Sequence, residues 1–124
     1  MKPIEDIIPV IRKYFDALYT GDADLFAEVF HPAARLFCAT GGTLLTMDVP
    51  QYLDLVRGRA SPASRADRRA DEIVSLEVPT PTTAHVRVRE LLLPKHFTDE
   101  LTLILIDQRW QVVSKVWHFD LETR

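Results

Sequence analysis

The chain has one cysteine among 124 residues, Cys38, so it cannot form an internal disulfide. That usage suits a reducing compartment. It has no excess of basic residues: 15 Lys and Arg against 18 Asp and Glu leave a formal net charge of −3. Such a balance argues against nucleic acid or an anionic membrane as the main partner. No apolar run approaches the roughly 20 residues that a bilayer span requires. The opening, MKPIEDIIPVIRKYF, carries acids and prolines where a secretory leader has an unbroken apolar core. A glycine-rich phosphate loop, a dinucleotide fingerprint, HExxH and paired cysteines are also missing. These absences set the expectation of a soluble, cytoplasmic protein with no cofactor, no metal, no nucleic acid and no membrane among its partners.

What is present reads as a single domain over 1–124 with ordinary globular content, 47% apolar and 27% charged. Ile4, Ile7, Ile8, Ile11, Phe15 and Leu18 recur at three- and four-residue steps, which predicts an amphipathic helix from about Ile4 to Tyr19. Pro9 sits awkwardly in it. Either Asp6 is the N-cap and Pro9 falls in the first turn, the reading adopted here, or the helix starts at Pro3 and kinks. Gly21 stops this helix and Asp22 caps a second, whose stripe is Leu25, Phe26, Val29 and Phe30, with Pro32 as its end. Asp48 and Pro50 open a third helix carrying Tyr52, Leu53, Leu55 and Val56. Between the second and third helices, two apolar runs flank Gly41-Gly42, a hairpin signal. A polar loop, RGRASPASRADRR, follows the third helix. Beyond it lie four β-branched and aromatic runs separated by Pro79 and Pro81, by Pro94-Lys95 and by Asp107-Gln108. Connections that short demand antiparallel neighbours, and helices followed by a meander make the fold α+β.

Tyr14 through Ala34, YFDALYTGDADLFAEVFHPAA, is similar to the opening of the nuclear transport factor 2-like superfamily, which includes ketosteroid isomerase, scytalone dehydratase and polyketide cyclases. The stretch FTDELTLILIDQRWQVVSKVWH resembles the Trp-x-Ile-Val-x-Lys-Val close of the "putative lumazine-binding" branch. The resemblance implies a cone: three N-terminal helices packed on a curved, mostly antiparallel sheet, with a pocket at its mouth and a homodimer formed through the outer sheet face. It further implies that a helix-borne Tyr, here Tyr14, polarises a carbonyl. The carboxylate that moves the proton in the isomerases falls on Cys38, so their standard mechanism is not expected.

The resemblance also implies a second acid on a later strand, kept neutral by its apolar site, at Asp99 or Glu100; strand parity chooses between these two and adds Glu90. Asp99 shares a face with Leu101, Leu103 and Leu105, whereas Glu100 goes with Thr102 and Ile104. Glu90 falls on the face of Ala84, Val86 and Val88. A carboxylate there is costly unless it is paired or lines a cavity, and a bulge nearby would remove the argument. Tyr14, Asp99 and Glu90 are therefore the catalytic candidates; Cys38, Tyr52, His96 and Trp117 are the ligand-binding ones. Each has a plainer alternative: a packed helix residue for Tyr14, a small buried hydrophobe for Cys38, a solvated strand end for Asp99, core for Trp117. His31 reads as the end of the second helix and His85 as a residue that faces solvent or a dimer partner. His118 and Asp120 share a face without a third ligand. The arginines between Arg57 and Arg69 read as a solvated loop. The function expected is a pocket for a small, mostly apolar organic ligand. Cofactor-free proton transfer of the isomerase, dehydratase or cyclase type is the reaction such a pocket serves. A non-catalytic ligand carrier and a dimeric interaction module are the alternatives.

Overall fold

Residues 3–123 are described by a computed structural model. The first helix, α1, spans Pro3–Thr20 and buries Ile7, Ile11, Tyr14, Phe15 and Leu18 along one face. It begins at Pro3, not after an Asp6 cap, and Pro9 lies inside it. Pro9 is exposed, so the helical hydrogen bond it forfeits falls on the solvent side, where water replaces it. Gly21 ends the helix at φ 68°, and a Cβ there would stand 2.9 Å from the Ser61 side chain. Both the turn and the close approach therefore require glycine.

Asp22 caps α2 (Ala23–Val29), its carboxylate accepting from the Leu25 N–H at 3.0 Å. The helix ends at Val29, and His31-Pro32 lie in the next strand, β1 (Phe30–Cys38), rather than closing the helix. Proline lacks a ladder donor. This one is exposed and sits where the register of β1 shifts, between Phe30 and Arg35. His31 accordingly meets no helix end; its Nδ1 accepts from the Ala33 N–H at 3.0 Å.

A hairpin through Gly42 (φ 89°) leads into β2 (Leu45–Asp48). That strand feeds α3 (Val49–Gly58) through a reciprocal cap, Asp48 on the Gln51 N–H and Gln51 on the Asp48 N–H. The connection to the next strand holds a short 3-10 turn, Ala63–Arg65. Three of its arginines are paired with acids: Arg65 with Asp67, Arg68 with Glu122, and Arg69 with Asp16 and Asp71.

The rest is a meander of β3 (Glu72–Thr80), β4 (Thr83–Leu92), β5 (Lys95–Ile106) and β6 (Arg109–Leu121). Asp107 and Gln108 both take positive φ, as a two-residue hairpin loop requires. The peptide between Leu93 and Pro94 is cis. Six strands form one curved sheet in the order β2-β1-β6-β5-β4-β3, antiparallel throughout except for the β1–β6 pair. The three helices cover its inner face, and the resulting fold is the α+β cone expected.

Register aligns the inner face into rows. Val88, Asp99, Trp117 and Cys38 form one row across β4, β5, β6 and β1; Val86, Leu101, Lys115 and Leu36 form the next; Glu90, Phe97 and Phe119 form the row toward the strand ends. No register shift interrupts β4 and β5 from Thr83 to Leu92, so Glu90 does stay on the buried parity.

Candidate functional site

Two adjacent carboxylates and a lysine lie under the helices, where side chains are otherwise apolar. Asp99 has no exposed surface, Glu90 is 1% exposed and Lys115 is 5% exposed. Pairing geometry brings them together. Asp99 stands opposite Trp117 and Val88, which places Glu90 on its diagonal across β4 and Lys115 on its diagonal across β6.

Tyr14 completes the group from α1. It too is fully buried, and its hydroxyl donates to Asp99 Oδ2 at 2.5 Å, a short bond of the charge-assisted kind. Lys115 Nζ lies 3.7 Å from the same Asp99 oxygen and donates to the Tyr52 hydroxyl at 3.4 Å. Three rings surround that ammonium: Tyr52 at 4.9 Å, Tyr14 at 5.3 Å and Trp117 at 5.3 Å from Nζ to centroid. Phe26 and Phe30 pack edge-on or tilted between the two tyrosines and fix their planes.

The electrostatics follow from burial. Desolvation first, then the charge of Asp99, hold the Glu90 carboxyl well above the usual carboxylate range, with Lys115 pulling the other way. Burial followed by Asp99 and Glu90 keeps the Tyr14 phenol protonated. For Lys115 burial alone would lower the pKa, but Asp99, with Tyr52 and Glu90 behind it, reverses this and raises it. Three buried oxygens lack a donor: both of Glu90 and Oδ1 of Asp99. The two acids are within reach of a side-chain hydrogen bond once one of them carries a proton. A protonated Glu90 supplies that missing donor, and the pair then shares one proton.

One cleft reaches this cluster. It has a volume of about 760 Å³ and opens between the strand ends and the connection after α3. Ala70, Leu91, Phe97 and Leu121 give it apolar walls, Arg68, Arg89 and His96 stand among acids at its rim, and Glu90 lines it. Tyr14, Asp99 and Lys115 do not line it; the cleft meets the cluster at Glu90.

Of the sequence candidates, then, Tyr14, Asp99, Glu90, Tyr52 and Trp117 come together, and His96 stands at the cleft, its Nε2 3.2 Å from Glu122. Tyr14 spends its hydroxyl on Asp99 instead of presenting it to a cavity. Cys38 is buried on the same inner face with Trp117 between it and Asp99, and its thiol donates to Thr40 Oγ1 at 3.4 Å. His118 is 3.2 Å from Asp120, and no group of three or more metal-ligating side chains occurs among the described residues. No helix among them is long and apolar enough to cross a membrane. Lys115 went unforeseen. Its signal was present: it shares the parity of Trp117 and Phe119, the same anomaly that singled out Glu90.

Comparison with known proteins agrees with this architecture. The profile of the family described as "Putative lumazine-binding" matches residues 2–118. A curated relative, the aldolase FrzH of a Cladobotryum species, is 27% identical over 114 residues, spanning 90% of this chain and 87% of its own length. An NTF2-like protein of unknown function from Shewanella baltica superposes with a TM-score of 0.86 at 21% identity, over 96% of this chain and 94% of that one. Another, from Methylobacillus flagellatus, gives 0.81 at 25% identity, over 97% and 94%.

Proposed function

We propose, for a chain that belongs to the "Putative lumazine-binding" family and has the nuclear transport factor 2-like fold, a cofactor-independent proton-transfer activity centred on Glu90. The ligand is a small organic molecule with an apolar body, and a carbonyl oxygen is the group that meets the acid. One observation carries this reading: Glu90 is almost wholly buried, receives no donor on either oxygen, and lines the cleft of about 760 Å³. A fold tolerates such a cost where a ligand supplies the missing partner. A cleft of about 760 Å³ lies within the range that small ligands use.

A carboxyl held neutral donates a proton to a carbonyl oxygen; the O–H electron pair stays on Glu90, which becomes a carboxylate able to accept a proton in turn. Proton movement next to a carbonyl is the step common to isomerisation, dehydration, cyclisation and aldol chemistry. The name of the Cladobotryum relative, an aldolase, is compatible with that class. Tyr14 and Asp99 act from behind Glu90, through the hydrogen bond they share.

Binding without turnover is the second reading. It is favoured by the fact that Tyr14 and Asp99 satisfy one another and line none of the clefts described. Native mass spectrometry of the protein as purified tests the ligand site common to both. A retained small molecule, lost when Ala70→Trp fills the cleft, is the expected result. Retention unchanged by Ala70→Trp would remove the cleft from either reading. The same spectrum gives the subunit number, and a dimer is the expected assembly.

A further inference from the structure

Lys115 is a cation placed where neither solvent nor the cleft explains it. It sits on the inner face in a row with Val86, Leu101 and Leu36, and only 5% of it is exposed. Interiors reject an isolated ammonium at a cost of several kcal/mol or more, and a buried lysine ordinarily gives up its proton. Here the groups in direct contact with the ammonium favour the charged form. Asp99 Oδ2 is at 3.7 Å, the Tyr52 oxygen accepts at 3.4 Å, and three aromatic faces lie within 5.3 Å. Such a lysine is a poor amine nucleophile and a strong fixed charge.

That charge falls unequally on the two acids. Asp99 receives both the Lys115 ammonium and the Tyr14 hydroxyl on one oxygen, whereas Glu90 receives no donor at all. A pair of carboxyls this close holds one proton between them, and the proton settles on the member with fewer donors. We propose that Lys115 is a positioning residue: its ammonium fixes Asp99 as the carboxylate of the pair and so leaves the shared proton on Glu90, the member that faces the cleft. This rests on the reading that Glu90 meets the ligand. It reverses the arrangement implied by the resemblance, in which the acid on this later strand is the neutral one. It also makes good the carboxylate that is missing at Cys38, since Asp99 in the same row carries the negative charge instead. The cluster is then neutral as a whole, with one carboxylate, one ammonium and one mobile proton.

Other groups around the cluster do not displace this assignment. Tyr14 on α1 and Tyr52 on α3 keep their hydroxyls directed at Asp99 and Lys115. Arg59, just after α3, lies over the Tyr52 ring and slightly opposes the charge on Lys115. Asp71, ahead of β3, adds to the forces that keep Glu90 protonated.

The test is a carboxyl-carbon NMR titration of the whole chain, labelled at aspartate and glutamate, without ligand. In the parent at neutral pH the Glu90 carboxyl should appear neutral and the Asp99 carboxyl ionised. In Lys115→Met, Asp99 should switch to its neutral position at the same pH, while Lys115→Arg should leave both signals as in the parent. A neutral Asp99 or an ionised Glu90 in the parent overturns the proposal, even if Lys115→Met does not fold. So does an Asp99 signal that ignores Lys115→Met. Because no ligand enters this measurement, its failure is separate from failure of the cleft reading, which the retained-ligand spectrum decides.

Discussion

Replacing Tyr14 with Phe removes one oxygen from the centre of the core and nothing else. The ring keeps its contacts with Phe26 and Phe30, at 5.6 and 6.2 Å between centroids, so no cavity of consequence opens. What is lost is the 2.5 Å hydrogen bond to Asp99 Oδ2. Bonds to charged acceptors contribute about 1.5–3 kcal/mol. The Glu90 proton that Asp99 shares does not move to replace the hydroxyl, and Lys115 at 3.7 Å is too distant to do so. The loss should therefore fall in the upper part of that range, about 2–3 kcal/mol. Urea unfolding at neutral pH reads it directly. In thermal unfolding it corresponds to a fall in Tm of roughly 6–15 °C for a chain of this size. A double-mutant cycle with Asp99→Asn separates the bond from other effects of either change, with an expected coupling of about 1.5–3 kcal/mol. A coupling under about 0.5 kcal/mol would show that the two groups do not act together and would refute the reasoning.

Glu90→Gln tests the buried acid through stability. The folded protein holds the Glu90 proton above the range where the unfolded chain releases it, about 4.3. The associated stability is complete below that range and declines as pH rises toward the folded-state value. Gln cannot ionise and offers an N–H₂ to Asp99, so the variant should lose this decline and exceed the parent at alkaline pH by about 1–3 kcal/mol. Parallel stability–pH curves in urea would contradict it. Gly21→Ala should destabilise by more than about 1 kcal/mol, because alanine is strained at φ 68° and its Cβ meets Ser61 at 2.9 Å. An unchanged urea midpoint would mean that the turn relaxes without cost.

The fold was legible because its punctuation is chemical. Gly21-Asp22, Asp48 and Asp107-Gln108 each mark a backbone requirement that few other residues meet, and each boundary falls there. The two prolines were harder, since Pro9 and Pro32 are breakers by local chemistry and are tolerated only because solvent faces one and a register shift absorbs the other. Parity found Glu90 and chose Asp99 over Glu100, since β4 and β5 pair without interruption there. It could not find Lys115 from the start of β6. Val112 pairs with Leu103 and Ser114 with Thr102, so Val113 is an extra residue that moves every later side chain to the other face. Counting from Trp110 and Val112 puts Lys115 outside, counting back from Phe119 and Trp117 puts it inside, and the register decides for the second. Nor does a helix position foretell that the Tyr14 hydroxyl finds a partner 85 residues away.

Hydrogen–deuterium exchange next to the carbonyl of simple cyclic ketones tests proton transfer at Glu90 most directly, followed by proton NMR in heavy water. The protein should accelerate exchange over buffer for at least one ketone, and Glu90→Gln should remove about 10²-fold or more of that acceleration. No acceleration for any ketone, or equal acceleration by Glu90→Gln, would contradict it.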